Sequence, residues 1–193
     1  MSVLGWLAAL VLIVQLPIPL YWFVMHPQIR FWRRHRGAGY AVAFLSAWAP
    51  VAWFLIFYRR ELFLAVWPPM WRVLGGFALL LCETWIFWRV KGDLGAARLI
   101  GHTELSGGGE LARHGIYGYV RHPRYVGSFV AIVGVCCLAG ARLMWLLAGV
   151  WCALTLLAIL MEERELRARF GAVYIDYCRR VPRFLPLGAK PRA

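Results

Sequence analysis

The chain has 193 residues, 62% of them hydrophobic, 16% aromatic and 16% charged, against roughly 45–50% apolar and about 25% charged in a soluble domain. That balance belongs to a membrane protein and excludes a large soluble domain, because no charged stretch is long enough to carry a core of its own. The formal net charge of +13 raises nucleic acid as a partner, and the placement of the cations decides the question.

In chain order the apolar runs are Ser2 to Val24, Ala38 to Tyr58, Val73 to Trp88, Tyr125 to Ala141 and Leu143 to Met161. Five spans are expected. At about 1.5 Å per residue against a hydrocarbon core of about 30 Å, the first, second and fifth cross unaided. The third and fourth are short; they cross with snorkelling or local thinning, or they pack as a hairpin within the bundle. The first run lacks a basic leader and a small-residue cleavage site, so it reads as a retained helix, kinked by Pro17 and Pro19.

Eighteen of the 22 Lys and Arg residues lie before the second run, between the third and fourth, and after the fifth. Only Arg59, Arg60, Arg72 and Arg142 fall on the other side. The positive-inside rule then places the N-terminus outside and the C-terminus in the cytoplasm, as an odd number of spans requires. Topology and attraction to anionic headgroups account for the charge, and no nucleic-acid partner is expected. The Arg-, Ala- and Gly-rich usage points to a bacterial inner membrane. The five cysteines show no metal-ligand spacing with the histidines, so neither a disulfide nor a metal is expected.

The expected fold is all-α, one membrane domain over residues 1–193. Residues 1–88 form a three-helix scaffold, and residues 89–193 carry a cytoplasmic loop, a helical hairpin and a C-terminal amphipathic helix. The polar segment 89–124 is glycine-rich and long enough to be functional, and glycine lets backbone N–H groups approach a ligand. It ends in Gly115-Ile116-Tyr117-Gly118-Tyr119-Val120-Arg121-His122-Pro123-Arg124-Tyr125. Pro123 suits a helix first turn, and the free N–H groups beside Arg121 suit an anion.

After the fifth run comes Glu162-Glu163-Arg164-Glu165-Leu166-Arg167-Ala168-Arg169-Phe170. On one continuous helix Glu163 faces Arg167 and Glu165 faces Arg169, the ordinary i,i+4 pairs of a solvated face. Glu162 has no such partner and heads a stripe of Leu166, Phe170, Val173 and Tyr177. A carboxylate at the membrane edge on an inward stripe is a functional-site candidate. Glu83, inside the third run, has two open readings: a helix-packing hydrogen bond, or a role in catalysis.

The pattern at 115–127, followed by two helices, Glu162-Glu163, Leu166, Phe170-Gly171, Tyr174, Tyr177 and Val181-Pro182-Arg183-Phe184-Leu185-Pro186, resembles the small integral-membrane methyltransferases. These comprise the isoprenylcysteine carboxyl methyltransferases and the phospholipid N-methyltransferases. The resemblance runs from about Asp93 to Pro186 and implies a cytoplasmic pocket for S-adenosyl-L-methionine, capped by the C-terminal segment, with a membrane lipid or lipidated substrate arriving from the bilayer. By position it implies cofactor contacts at His102, Gly109, Glu110, Leu111, Ala112, Tyr117, Arg121, His122, Pro123, Arg124, Tyr125 and Glu162. Glu162 and His122 take the catalytic roles and Ala158 falls at a substrate position; Glu83, outside the resemblance, is assigned to the substrate as an intramembrane carboxylate. The carboxyl methyltransferases carry an arginine where this chain has Ala158, and some members a histidine at Gly109. Loss of that arginine favours an amine headgroup over a carboxylate. His122→Ala and Glu162→Ala are expected to weaken cofactor binding more than Glu163→Ala. Two other readings remain: an NADPH-dependent reductase of the membrane sterol type, and a non-enzymatic module that organises lipid.

Overall fold

A computed structural model describes residues 2–25, 31, 34–95 and 110–186, with the backbone alone described for Met25 and residues 36–40. Helix α1 (Val3–Gln15) continues into α2 (Pro17–Met25), followed by α3 (Arg36–Phe57), the single turn α4 (Arg59–Leu62) and α5 (Met70–Leu94). A 3-10 turn (Gly115–Gly118) leads to α6 (Pro123–Ala139), α7 (Arg142–Phe170) and α8 (Ala172–Arg180). Among the described residues there is no strand, only an isolated bridge between Phe63 and Gly140.

Among the described residues three helical stretches are long and apolar enough to cross a membrane: Val3–Val24, Met70–Leu94 and Arg142–Phe170. The apolar helices Ala41–Phe57 and Pro123–Ala139 are shorter. The third apolar run therefore lies on a longer helix than its composition suggested. Helix α5 continues through Arg89, Lys91 and Asp93 before stopping at Gly95, whose φ of 79° suits glycine.

Helix α6 sits at the centre of the bundle. It buries Gly127, Ala131, Gly134, Val135 and Leu138 and packs most extensively against α5, then α1. Small residues permit the close approach: a Cβ on Gly76 would stand 2.9 Å from the Gly134 carbonyl oxygen and 2.6 Å from Leu138 Cγ. Arg72, in the first turn of α5, closes the far end of α6. Its guanidinium donates to the carbonyls of Cys136 at 2.7 Å, Cys137 at 3.1 Å and Gly140 at 3.1 Å; the Cys136 carbonyl also accepts from Gly140 N at 3.0 Å, and all three lie at the negative end of the dipole.

Helix α1 begins with Ser2, whose hydroxyl accepts from Gly5 N at 3.2 Å, and buries Leu4, Ala8, Leu12 and Gln15 on one face. Its kink into α2 has a specific cause. Pro19 has no N–H for the Gln15 carbonyl, and the Trp151 indole N–H of α7 donates to that carbonyl instead at 3.2 Å. Many large apolar side chains on outer faces, Trp53, Leu81 and Trp85 among them, remain exposed. In water such a surface would associate; on a membrane bundle it meets lipid.

Candidate functional site

The geometry of the site begins at the junction of α5 with the 3-10 turn. Asp93, in the last turn of α5, accepts from Ile116 N at 2.6 Å. Gly115 allows this, because its φ is 58° and a Cβ there would overlap the Asp93 carboxylate. The turn thereby holds Tyr117 beneath α8, where the Tyr177 hydroxyl donates to the Tyr117 carbonyl at 2.7 Å. Burial pushes the Tyr177 hydroxyl above its ordinary value, so it stays protonated and remains a donor.

Residues 181–186 pass alongside the motif as a strap. Arg121 N donates to the Pro182 carbonyl at 2.9 Å, and His122 N donates to the Arg183 carbonyl at 3.2 Å. Pro123 then opens α6 in its first turn, as expected.

Beneath the strap, Glu163 is the hub. It is 1% exposed, and its Oε1 accepts from Arg121 Nη1 at 2.8 Å and from Arg183 Nε at 2.9 Å, with His122 Nε2 at 3.1 Å. Its Oε2 accepts from Arg183 Nη2 at 2.8 Å and lies 3.6 Å from Arg167. Arg183 thus grips the carboxylate with two parallel bonds, the strong bidentate form. The hydrogen bond to Glu163 holds the Arg183 guanidinium above its usual range. Reading Glu163 as an ordinary surface pair with Arg167 is therefore corrected: that pair is the outermost of four contacts, three from guanidinium groups and one from an imidazole.

The register of the last apolar stripe is also corrected. Helix α7 buries Met144, Ala148, Trp151, Thr155, Ile159 and Glu163, so Glu163 rather than Glu162 continues its buried face. At Gly171, with φ of 54°, the helix stops and the chain turns. The turn rephases α8 so that Tyr174 and Tyr177 are buried while Val173 is exposed.

Glu162 points elsewhere, into a cavity between the motif, α2, α7 and α8. Its Oε2 accepts from the Tyr125 hydroxyl at 2.8 Å. The same cavity is lined by the expected residues Glu110, Leu111, Ala112 and Tyr117, and by Arg121, His122, Arg124 and Tyr125. Pro123 stands behind this wall as a helix starter. Ala158 is fully buried in a cluster with Tyr125 and Ile159 and is not in the cavity lining. Glu83 lines a separate cleft one helix away. His102 and Gly109 lie outside the described residues.

Other lining residues had no assignment in the sequence: Trp22 from α2, Leu166, Arg169 and Phe170 from α7, and Tyr174 from α8. The Arg183 clamp was visible only as part of the Val181-Pro182-Arg183 motif. Two polar atoms of the lining residues stand out. Arg121 Nε and the Tyr174 hydroxyl are buried and make no hydrogen bond of good geometry among the described residues, although Tyr174 stands beside Cys178 and Arg121, which for buried polar atoms calls for an explanation. No group of His, Cys, Asp and Glu among the described residues has a metal-binding arrangement.

Comparison with known proteins finds methyltransferases among the similar chains. The chain is 32% identical over 133 residues to methanethiol S-methyltransferase 2 of Bradyrhizobium diazoefficiens, covering 61% of this chain and 50% of that one. It is 39% identical over 74 residues to a methanethiol S-methyltransferase of Crocosphaera subtropica, covering 38% and 28%. It is also 39% identical over 79 residues to a protein-S-isoprenylcysteine O-methyltransferase of Schizosaccharomyces pombe, covering 40% and 33%. The matches thus span half or less of each of these relatives. No solved structure matches the chain. The family model for phospholipid methyltransferases matches residues 71–173, from the first turn of α5 to the start of α8. This stretch is just over half of the chain and contains the turn, the buried glutamate and the cavity wall, so the resemblance read from the motifs holds: the protein belongs to the phospholipid methyltransferase family.

Proposed function

We propose that the protein transfers a methyl group from S-adenosyl-L-methionine to a lipophilic acceptor at the cytoplasmic face of a bacterial inner membrane, with an amine-bearing acceptor favoured. In this reading α1–α2, α3, α5, α6 and α7 are five spans, with the N-terminus outside. The observation that carries the reading is the cavity wall, where Glu162, held by Tyr125, shares a lining with the buried Arg121 Nε and Tyr174 hydroxyl.

These residues fit the cofactor. An amino-acid end needs an anion for its ammonium and donors for its carboxylate. Glu162 would serve the first, and Arg121 with Tyr174 the second. The rings of Tyr117 and Tyr125 would supply cation–π attraction for a sulfonium. When bound, S-adenosyl-L-methionine supplies an electrophilic methyl for in-line displacement, in which the acceptor–carbon bond forms as the carbon–sulfur bond breaks and the electron pair stays on sulfur.

The chain's own task is then chiefly positioning. The acceptor atom must be held about 3–3.5 Å from the reacting carbon in a closed site, and the Glu163–Arg183 clamp fixes the strap that closes one side. His122, anchored through Nε2 to Glu163, keeps the start of α6 in register with the strap. An amine acceptor must also lose a proton, for which Glu162 is the lining carboxylate beside the motif.

The amine preference rests on Ala158. Where carboxyl methyltransferases carry a guanidinium for their substrate, this chain has a buried methyl. A thiol acceptor is the second reading, favoured by the names of two relatives. Incubating the purified chain with methyl-labelled S-adenosyl-L-methionine and bacterial lipid extract, and separately with alkanethiols, tests both. Label in an amine lipid is the expected result; label only in thioether would select the second reading, and label in neither would reject both.

A further inference from the structure

A second cavity of about 400 Å³ lies between α1 and α5, against the first turns of α6. Leu10, Val14 and Phe87 on its wall are 65%, 57% and 44% exposed, so the cleft opens sideways toward the surface that meets hydrocarbon.

Its wall is not wholly apolar. Glu83 from α5 and Gln15 from α1 both line it. Gln15 is 8% exposed, and its Oε1 is buried without a hydrogen-bond partner among the described residues. Its backbone carbonyl is already taken by Trp151, so the side chain is placed by a helix fixed on its other face. A carboxylate and an unpaired amide at membrane depth are costly unless something pairs with them. Ser128, on α6, adds a hydroxyl. At the cytoplasmic end stands Arg124, which lines both this cleft and the cavity of Glu162. It is the cleft's only cation among the described residues.

We infer that the cleft is a binding site for a lipophilic amine, the acceptor of the methyl transfer proposed above, on which this assignment rests. Glu83 pairs with the ammonium and Gln15 accepts a hydrogen bond from it, while the apolar part of the ligand lies along Leu10, Val14 and Phe87. Charge selects the ligand: a carboxylate head would face Glu83 across a poorly screened space, and a thiol would bring no charge to pair with it. Gly127 belongs to the same wall, where a Cβ would come within 3.2 Å of Ile86 and 3.8 Å of Glu83, so glycine keeps the cleft open beside the carboxylate.

The test is calorimetric titration of the full chain in detergent with decylamine, decane-1-thiol and decanoate, on wild type, Glu83→Gln and Gln15→Leu. Micelle partitioning is common to all three proteins and cancels in the comparison. Decylamine should bind the wild type at least tenfold more tightly than the other two probes. Each substitution should weaken decylamine about tenfold, as expected for one charge-assisted hydrogen bond. Equal binding of decylamine to wild type and both variants, or decanoate or decane-1-thiol binding as tightly as decylamine, would overturn the assignment. S-adenosyl-L-methionine is titrated into the same samples. Its binding to all three proteins shows that they are folded and that the methyltransferase reading stands, whatever the amine result. Its failure to bind the wild type would mark the failure of that reading instead.

Discussion

Replacing Glu163 removes one carboxylate from beneath three guanidinium groups and an imidazole, and the cost can be worked from their exposure. The side chain of Glu163 is 2% exposed, that of Arg121 11% and that of His122 4%. The Arg183 and Arg167 side chains are 38% and 53% exposed, so water screens them and each contributes about 1 kcal/mol or less. Arg121 is different: without its partner it leaves a buried guanidinium uncompensated, a situation that costs about 3–5 kcal/mol. Glu163→Ala is therefore expected to destabilise by about 3 kcal/mol, and Glu163→Gln by about 2 kcal/mol, since the amide retains one acceptor oxygen but loses the charge. For a chain of this length the alanine variant should melt on the order of 6–12 °C lower. Glu162→Gln breaks no such network and should cost under about 1 kcal/mol while still abolishing cofactor binding. Melting curves in detergent with and without S-adenosyl-L-methionine separate the two roles. If Glu163→Ala melts with the wild type while Glu162→Gln melts several degrees lower, the assignment of hub and cavity residue is reversed.

Arg72→Ala removes a donor from three carbonyls at the end of α6, of which only that of Cys136 keeps a bond from Gly140 N, and should destabilise by about 1–3 kcal/mol, read as a lower melting temperature with cofactor affinity unchanged. Gly76→Ala forces α5 and α6 apart at the Gly134 carbonyl and should cost about 1–3 kcal/mol, whereas Gly149→Ala, with nothing within 4 Å of the added carbon, should be neutral within about 0.5 kcal/mol. Gly171→Ala places a side chain at a φ of 54°. It should cost about 1–3 kcal/mol and raise the Kd for S-adenosyl-L-methionine, because α8 carries Tyr174 into the cavity wall.

The helices were legible because hydrophobic runs and charge asymmetry are local signals. What was not legible depended on distant partners. Composition ended the third span at Trp88, yet α5 runs on through Arg89 and Lys91, since a helix leaving the bilayer can keep its hydrogen bonds while its side chains turn polar. Glu162 and Glu163 are adjacent, so their side chains diverge by about 100°. Which one meets the cavity depends on Arg121, His122 and Arg183, residues 20 or more positions away. A local signal did exist: Met144, Ala148, Trp151, Thr155 and Ile159 follow a spacing of three and four that lands on Glu163. The i,i+4 pairing with Arg167 concealed it by offering a simpler partner. Gly171 likewise reads as a helix stop in the sequence, but the new phase of α8 follows from its positive φ, which only the fold supplies.

Calorimetric titration of the full chain in detergent with S-adenosyl-L-methionine and, separately, with NADPH, for wild type, His122→Ala and Glu162→Gln, decides whether this is a methyltransferase. Saturable binding of S-adenosyl-L-methionine to the wild type, loss in both variants, and no heat from NADPH are expected. Binding of NADPH instead, or no binding of S-adenosyl-L-methionine by protein that still melts cooperatively, would rule the methyltransferase out.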